Sequence, residues 1–252
     1  MIDSMPRPNP LLIASTANSI QATFDRHHGD SLAPFNSLNV SFSLGDKKEY
    51  VASNRRKIKQ ALGISSLVSA RQVHGDLLLT VKEVPANDVE QDGFDALITD
   101  QRDVGLMIQH ADCQAILLHD PVQSAIAAIH CGWRGSVIGI IEKTVQAMSA
   151  CYRSRPEDIT AAISPSLGPC CAEFINHRLE LPESFLSFRE RDNFFDFWQI
   201  SRWQLIAAGL LTENIQTTGI CTSCSPDFFS YRRAVRRGQG TTGRNCTIIA
   251  LP

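Results

Sequence analysis

No window of the 252-residue chain approaches a membrane span. The nearest apolar run, Val122 to Ile129, is far short of the roughly 20 residues a bilayer needs, so membrane insertion is excluded. An excess of one charge is also missing. With 24 Lys and Arg against 26 Asp and Glu the formal charge is -2, and no global field draws the chain onto nucleic acid or anionic lipid. Cysteine, at eight residues, is too sparse for a disulfide scaffold. The opening MIDSMPRPNPLLIA carries Asp3 and three prolines but only a short apolar run, unlike a signal peptide. The expected setting is therefore a reducing cytoplasm, with the cysteines as thiols, metal ligands or core residues. Nucleotide fingerprints are absent too: there is no Walker A motif, and Gly238-Gln239-Gly240 does not lie between a strand and a helix. What remains is a chain with 43% hydrophobic residues, able to bury a core and suited to a small neutral or anionic ligand.

Periodicity predicts a strand over Gln21–Arg26, a loop at His27–Asp30, and a helix over 47–62 capped by Asp46 and stopped by Gly63. Short β-rich runs follow at Leu67–Val73, Leu77–Val84, Ala96–Thr99, Gly105–Ile108, Ala115–Leu118 and Ala125–Ile129. Further on, the pattern reads as a helix over Val137–Ala150, a strand over Ile159–Ile163, and helices over Leu181–Arg191 and Ser201–Leu211. Closing strands are expected at Phe228–Tyr231 and Thr247–Leu251. Several strand pairs leave too few residues between them for a crossover helix, so the expected class is α+β (mixed α/β), with mixed β-sheets flanked by helices. No Pro-, Gly- or Ser-rich linker divides the chain, so residues 1–252 are expected to form one domain.

Three segments place soft or borderline metal ligands at or beside the ends of apolar runs: Arg71-Gln72-Val73-His74-Gly75, His110-Ala111-Asp112-Cys113 and Ile129-His130-Cys131-Gly132. His74, Cys113 and His130 would supply two imidazoles and a thiolate, a set zinc accepts while leaving its fourth position open. Their spacing matches no compact metal motif, so on pattern alone packed core His and Cys residues are the better reading. Cys221-Thr222-Ser223-Cys224 is half a structural zinc site, a redox pair or two buried thiols, and no second CxxC completes it. Cys170 and Cys171 would diverge on a strand, leaving at most one able to line a site. Cys151 reads as filler. Among the basic residues Arg134, Arg232, Arg233 and Arg244 sit near glycines or aromatics and suit an anion, whereas Arg236 and Arg237 read as a solvated edge.

Taken together, the ordered segments FNSLNVSFSLGD, SNRRKIKQALG, RQVHG, DALITD, HADCQAILLHDP, AIHCGWRGS, ISPSLGPCCAEF, CTSCSPDFFSYRR and TGRNCTIIAL resemble the YfiH-like family. That family is described both as multicopper polyphenol oxidases with a laccase domain and as purine nucleoside phosphorylases. The resemblance implies one zinc per chain at His74, Cys113 and His130. Two positions depart from the family pattern: His110 stands where Thr is common, and Cys131 where Ala is common.

The two family labels imply different chemistry. A four-copper laccase needs on the order of ten imidazoles. Seven histidines and no His-x-His pair exclude it, leaving only Cu2+ oxidation at the single set of two histidines and a cysteine. The phosphorylase label implies that phosphate attacks the anomeric carbon of adenosine, inosine or guanosine as the purine leaves, with adenosine deamination as a side activity. Arg55, Arg134, Arg233, Arg244 and Gln72 are the expected substrate and phosphate contacts; Asp112 and Glu173, with Cys113, are the expected catalytic groups. Zinc could instead fold a binding module, a reading that a fourth ligand at His110 or Cys131 would favour. Peptidoglycan precursor editing, linked to some relatives, is a further alternative, and a monomer or homodimer is expected.

Overall fold

The computed structural model describes residues 8–16 and 18–252. Asp3 and Pro6, read above as evidence against a leader, lie outside the described residues. The chain opens on a hairpin, β1 (Pro10–Thr16) and β2 (Ser19–Phe24), then forms helix α1 (Lys48–Leu62). Asp46 does not cap α1: the N-cap position is Lys47, and the Asp46 carboxylate instead accepts from Lys47 N and Asn39 Nδ2. Strands β3 (Ser66–Arg71), β4 (Leu78–Thr80), β5 (Val89–Asp92), β6 (Ala96–Thr99), β7 (Val104–His110), β8 (Gln114–Asp120) and β9 (Ala125–Cys131) follow. Strand β5, Val-Glu-Gln-Asp, escapes periodicity because it is a sheet edge with no apolar alternation.

The helix expected over Val137–Ala150 is two helices, α2 (Trp133–Ile138) and α3 (Ile140–Tyr152). Gly139, at φ 75°, turns left-handed between them and donates its N–H to carbonyls at the end of α2. Strand β10 (Thr160–Ile163) and the short helix α4 (His177–Glu180) come next. Leu181–Arg191 is not a helix. Pro182 leads into a 3-10 segment, Glu183–Phe188, and Arg189–Arg191 is strand β11, paired with β12 (Phe194–Phe195). Helix α5 (Phe197–Ala207) begins before the expected Ser201 because the Asp196 carboxylate caps it, accepting from Trp198 N and Gln199 N.

Strand β13 (Ile215–Thr217), helix α6 (Tyr231–Arg236) and β14 (Asn245–Ala250) complete the chain. Phe228–Tyr231 is not a strand: Asn245 bonds the backbone of Phe229 with its side-chain amide, and Ser230 caps α6.

The strands form two six-stranded sheets, ordered β1-β2-β14-β7-β3-β5 and β13-β10-β8-β9-β6-β4. Both are mixed: β3 pairs parallel with β5 and β7, β4 with β6, and β10 with β13, while the other ladders of the two sheets are antiparallel. Strand alternation assigns the layers. Leu106 and Ile108 from the first sheet meet Leu117 and Ala128 from the second in a shared core. On the outer face of the first sheet Met107 and Ile248 pack against Ile58 of α1; beyond the second, Ile116 and Ile129 pack against Ile141 of α3 and Leu205 of α5. Strands β7, β8 and β9 are buried along their whole length, which explains their nearly continuous apolar runs. The architecture is thus the expected mixed-sheet fold flanked by helices. No helix among the described residues is long and apolar enough to cross a membrane.

Candidate metal centre

Two of the candidate ligands sit where the chain passes from one sheet to the other. Past β3 it crosses to β4 through the loop carrying His74, and past β7 it crosses to β8 through the turn carrying Cys113. His130 is the penultimate residue of β9. One donor atom from each of the three lies within 4.8 Å of the others. Cys113 Sγ is 3.8 Å from His74 Nε2, and the two imidazole centroids are 4.8 Å apart.

A buried carboxylate organises this set. Asp95, 1% exposed at the mouth of β6, accepts from Val73 N at 3.1 Å, His74 N at 3.0 Å and Gly75 N at 2.8 Å. Those bonds hold His74 in a left-handed conformation, φ 60°. The same carboxylate lies 2.8 Å from His130 Nδ1. A carboxylate only accepts, so Nδ1 carries the proton and Nε2 is left for the donor set. Gln72 fixes the loop's other end, donating from Nε2 to Gln109 O at 2.7 Å and accepting from Gln109 N at 2.9 Å. Gly132 closes the arrangement: a Cβ there would stand 2.9 Å from Cys113 Sγ and 3.2 Å from His74 Cδ2.

The electrostatics suit a soft cation. Burial opposes ionisation of Cys113, but the charge of His130 and hydrogen bonds from both histidines outweigh it and draw the thiol down to about 6. Burial likewise opposes the His130 imidazolium, yet Cys113 and Asp95 raise it to about 9. The residues fit a metal, and three protein donors leave a coordination position for water or substrate. Neither expected fourth ligand joins them. His110 gives its Nε2 to a 2.8 Å contact with Thr247 Oγ1, and burial presses its pKa down to about 3. Cys131 points to the other side of β9, 3.3 Å from Ser136 Oγ, and burial raises its thiol to about 12.

The ligands open into a cavity of about 890 Å³ with Trp133, Phe174 and Tyr231 in its walls. Gln72, Asp112, Glu173 and Arg244 line it as well. Asp112, at φ 93°, spends both oxygens on structure, accepting from Thr222 Oγ1 at 2.8 Å and Arg232 N at 2.5 Å. Glu173 Oε2 has Arg236 at 3.8 Å. Arg244 commits Nη1 to the carbonyls of Thr242 and Gly243.

Three expected phosphate contacts are not brought to this cavity. Arg55 is buried and bonded to Val40 O, Ser69 Oγ and Glu90 Oε2. Arg134 is exposed and lies over the Trp133 ring. The Arg233 guanidinium is spent on the carbonyls of Thr222, Ser223, Ser225 and Phe228. Arg232 lines the cavity instead, bonded to Cys171 O and Glu173 O. Asp95 opens the DALITD segment quoted above without standing out there as a site residue; its local signal is an acid at the mouth of the apolar run Ala96-Leu97-Ile98.

Residues 20–252 match the sequence model of the multi-copper polyphenol oxidoreductase laccase family. The chain belongs to this family. Its relatives include the purine nucleoside phosphorylase YlmD of Geobacillus stearothermophilus, 33% identical over 92% of this chain and 90% of that protein. A purine nucleoside phosphorylase of Corynebacterium glutamicum is 31% identical over 90% and 92%. Among solved structures, Bacillus licheniformis hypothetical protein YfiH superposes with a TM-score of 0.86 at 28% identity, covering 98% of both chains. The family model is named for an oxidoreductase and the two relatives for a phosphorylase, the two labels weighed above.

Proposed function

We propose that the protein is a zinc-dependent purine nucleoside phosphorylase acting on adenosine, inosine or guanosine with phosphate, with adenosine deamination as a side activity. The observation that carries this reading is the set of two histidines and one cysteine with an open position, facing a cavity walled by aromatic rings and arginine. Two imidazoles and a thiolate suit a borderline-soft d10 ion, and His74, Cys113 and His130 would hold it. Zinc bound there supplies Lewis acidity.

The chain's own residues divide the remaining work. Trp133, Phe174 and Tyr231 offer faces on which a purine stacks. Arg244 takes phosphate through guanidinium donors beyond the one held by carbonyls, and Arg232 stands in the same wall. Asp112, with both oxygens engaged, positions the Cys113 turn and Arg232. Glu173 is the carboxyl left to move a proton to the departing base. Copper at the same three ligands, giving phenol oxidation, is the alternative, and the paired family names are what favour keeping it.

The test is zinc-replete protein incubated with each nucleoside in phosphate or in sulfate, with products separated by chromatography. Free purine and ribose 1-phosphate are expected in phosphate alone. Equal base release in sulfate means hydrolysis; no nucleoside turnover, with phenol oxidation after copper loading, establishes the alternative.

A further inference from the structure

A second group of soft donors lies outside the cavity centre. Cys170, Cys171, Cys221 and Cys224 bring their four sulfurs within 4.8 Å of one another. Cys224 Sγ is 3.6 Å from both Cys170 Sγ and Cys171 Sγ. The vicinal pair does not diverge, because it occupies a turn and not a strand: Cys171 N and Ala172 N both donate to Gly168 O, at 2.9 and 3.0 Å. That turn is the missing partner of the CxxC loop.

We propose that these four cysteines form a structural zinc site of the all-cysteine type, separate from the centre at His74, Cys113 and His130. Sulfurs each about 2.3 Å from a tetrahedral zinc stand about 3.8 Å apart, close to the spacing seen here. A disulfide requires about 2.05 Å, and all four side chains are free thiols. Four protein ligands close the coordination shell, the mark of a structural ion. The surroundings are those of a thiolate site. Gly168 N donates to Cys221 Sγ at 3.3 Å, and Arg233, which grips the CxxC loop through the carbonyls of Thr222, Ser223 and Ser225, sets a positive charge beside Cys221 and Cys224. Cys170 and Cys224 are exposed and Cys171 and Cys221 buried, so the ion has an entry side and a packed side.

The consequence reaches the cavity. Cys171 is followed by Ala172, Glu173 and Phe174, which line it, and Thr222 holds Asp112. Zinc at the four sulfurs would staple these two loops, and with them one wall of the substrate cavity.

Metal content per chain, measured by elemental analysis on zinc-replete protein kept in reductant, tests this. Two zinc ions are expected in the wild type, one in His74→Ala, one in Cys224→Ser and none in the double variant. Cobalt loaded into His74→Ala is expected to show the intense charge-transfer absorption of an all-thiolate tetrahedral site, a readout that does not depend on Cys224→Ser folding. A folded His74→Ala protein that takes up neither zinc nor cobalt overturns the proposal. So does a disulfide among the four cysteines, found by mass spectrometry of the reductant-treated wild type.

Discussion

Replacing Asp95 by Asn changes one atom type and leaves the shape alone, which makes it a sharp probe of the metal centre. In the wild type Oδ1 serves His74 N and His130 Nδ1, and Oδ2 serves Val73 N and Gly75 N. An amide keeps only one acceptor oxygen. Whichever side takes the NH2 then faces two donors with a third. The oxygen will choose the His130 side, since that donor is buried, leaving Val73 and Gly75 unpaired. An unsatisfied donor costs roughly 1–3 kcal/mol, and the loop's exposure puts both near the lower end, so the expected loss is about 2–3 kcal/mol. In a domain of this size that lowers Tm by roughly 4–12 °C. Metal affinity is expected to fall about 10–100-fold, as for other partners of metal-bound histidines. Thermal melts of metal-free and metal-loaded protein, with zinc affinity from competition against a chromogenic chelator, measure both. An Asp95→Asn protein that melts with the wild type and binds zinc as tightly would show that the carboxylate neither holds the loop nor orients His130.

Gly132→Ala has an allowed backbone, φ -81°, so its effect is steric alone; with the new methyl 2.9 Å from Cys113 Sγ, zinc affinity is expected to drop on the order of ten-fold, about 1.4 kcal/mol, in the same chelator competition. Cys113→Ser is expected to abolish zinc binding at the cavity centre, whereas Cys131→Ala keeps it, because Cys131 lies against Ser136 on the opposite side of β9; retention by Cys113→Ser and loss by Cys131→Ala would reverse the ligand assignment. His110 is held neutral down to about 3, below its unfolded value near 6.5, so the unfolded chain binds the extra proton between those pH values and stability falls as pH drops below 6.5. His110→Thr is expected to lessen that slope by up to about 1.4 kcal/mol per pH unit, and denaturant unfolding curves between pH 6 and 4 that remain parallel for the two proteins would refute it.

Legibility in the sequence followed burial. Strands β6 to β9 announce themselves because interior strands carry continuous apolar runs, while β5, a charged edge, carries no such pattern. Gly139 and Pro182 were visible as residues, yet a glycine inside a helical period marks a break only when the backbone turns left-handed there, which tertiary packing decides. The three candidate metal ligands were found because their chemistry is rare and shared. The phosphate contacts were not separable, since Arg55 and Arg233 differ from Arg244 only in what loop carbonyls and Glu90 happen to reach them. The convergence of Cys170 with Cys171 depended on a turn that period-two reasoning treats as a strand.

The placement of the cavity centre at two sheet-to-sheet crossovers also fixes when in folding it can exist. His74 and Cys113 are 39 residues apart, and both follow strands of one sheet while His130 belongs to the other. The β8–β9 hairpin alone sets Cys113 beside His130, with Gln114 opposite Cys131, so two donors meet early; the third, His74, arrives from 39 residues upstream of Cys113, and two donors without it make only a weak site, unlike a zinc finger whose ligands share one short segment. Only when Asp95 has captured the His74 loop, through Val73 N, His74 N and Gly75 N, is the set of three complete. Tight metal uptake by refolding protein is therefore expected to follow the closing of that loop onto Asp95, a step later than the hairpin, and to be slowed when Asp95 is replaced by Asn.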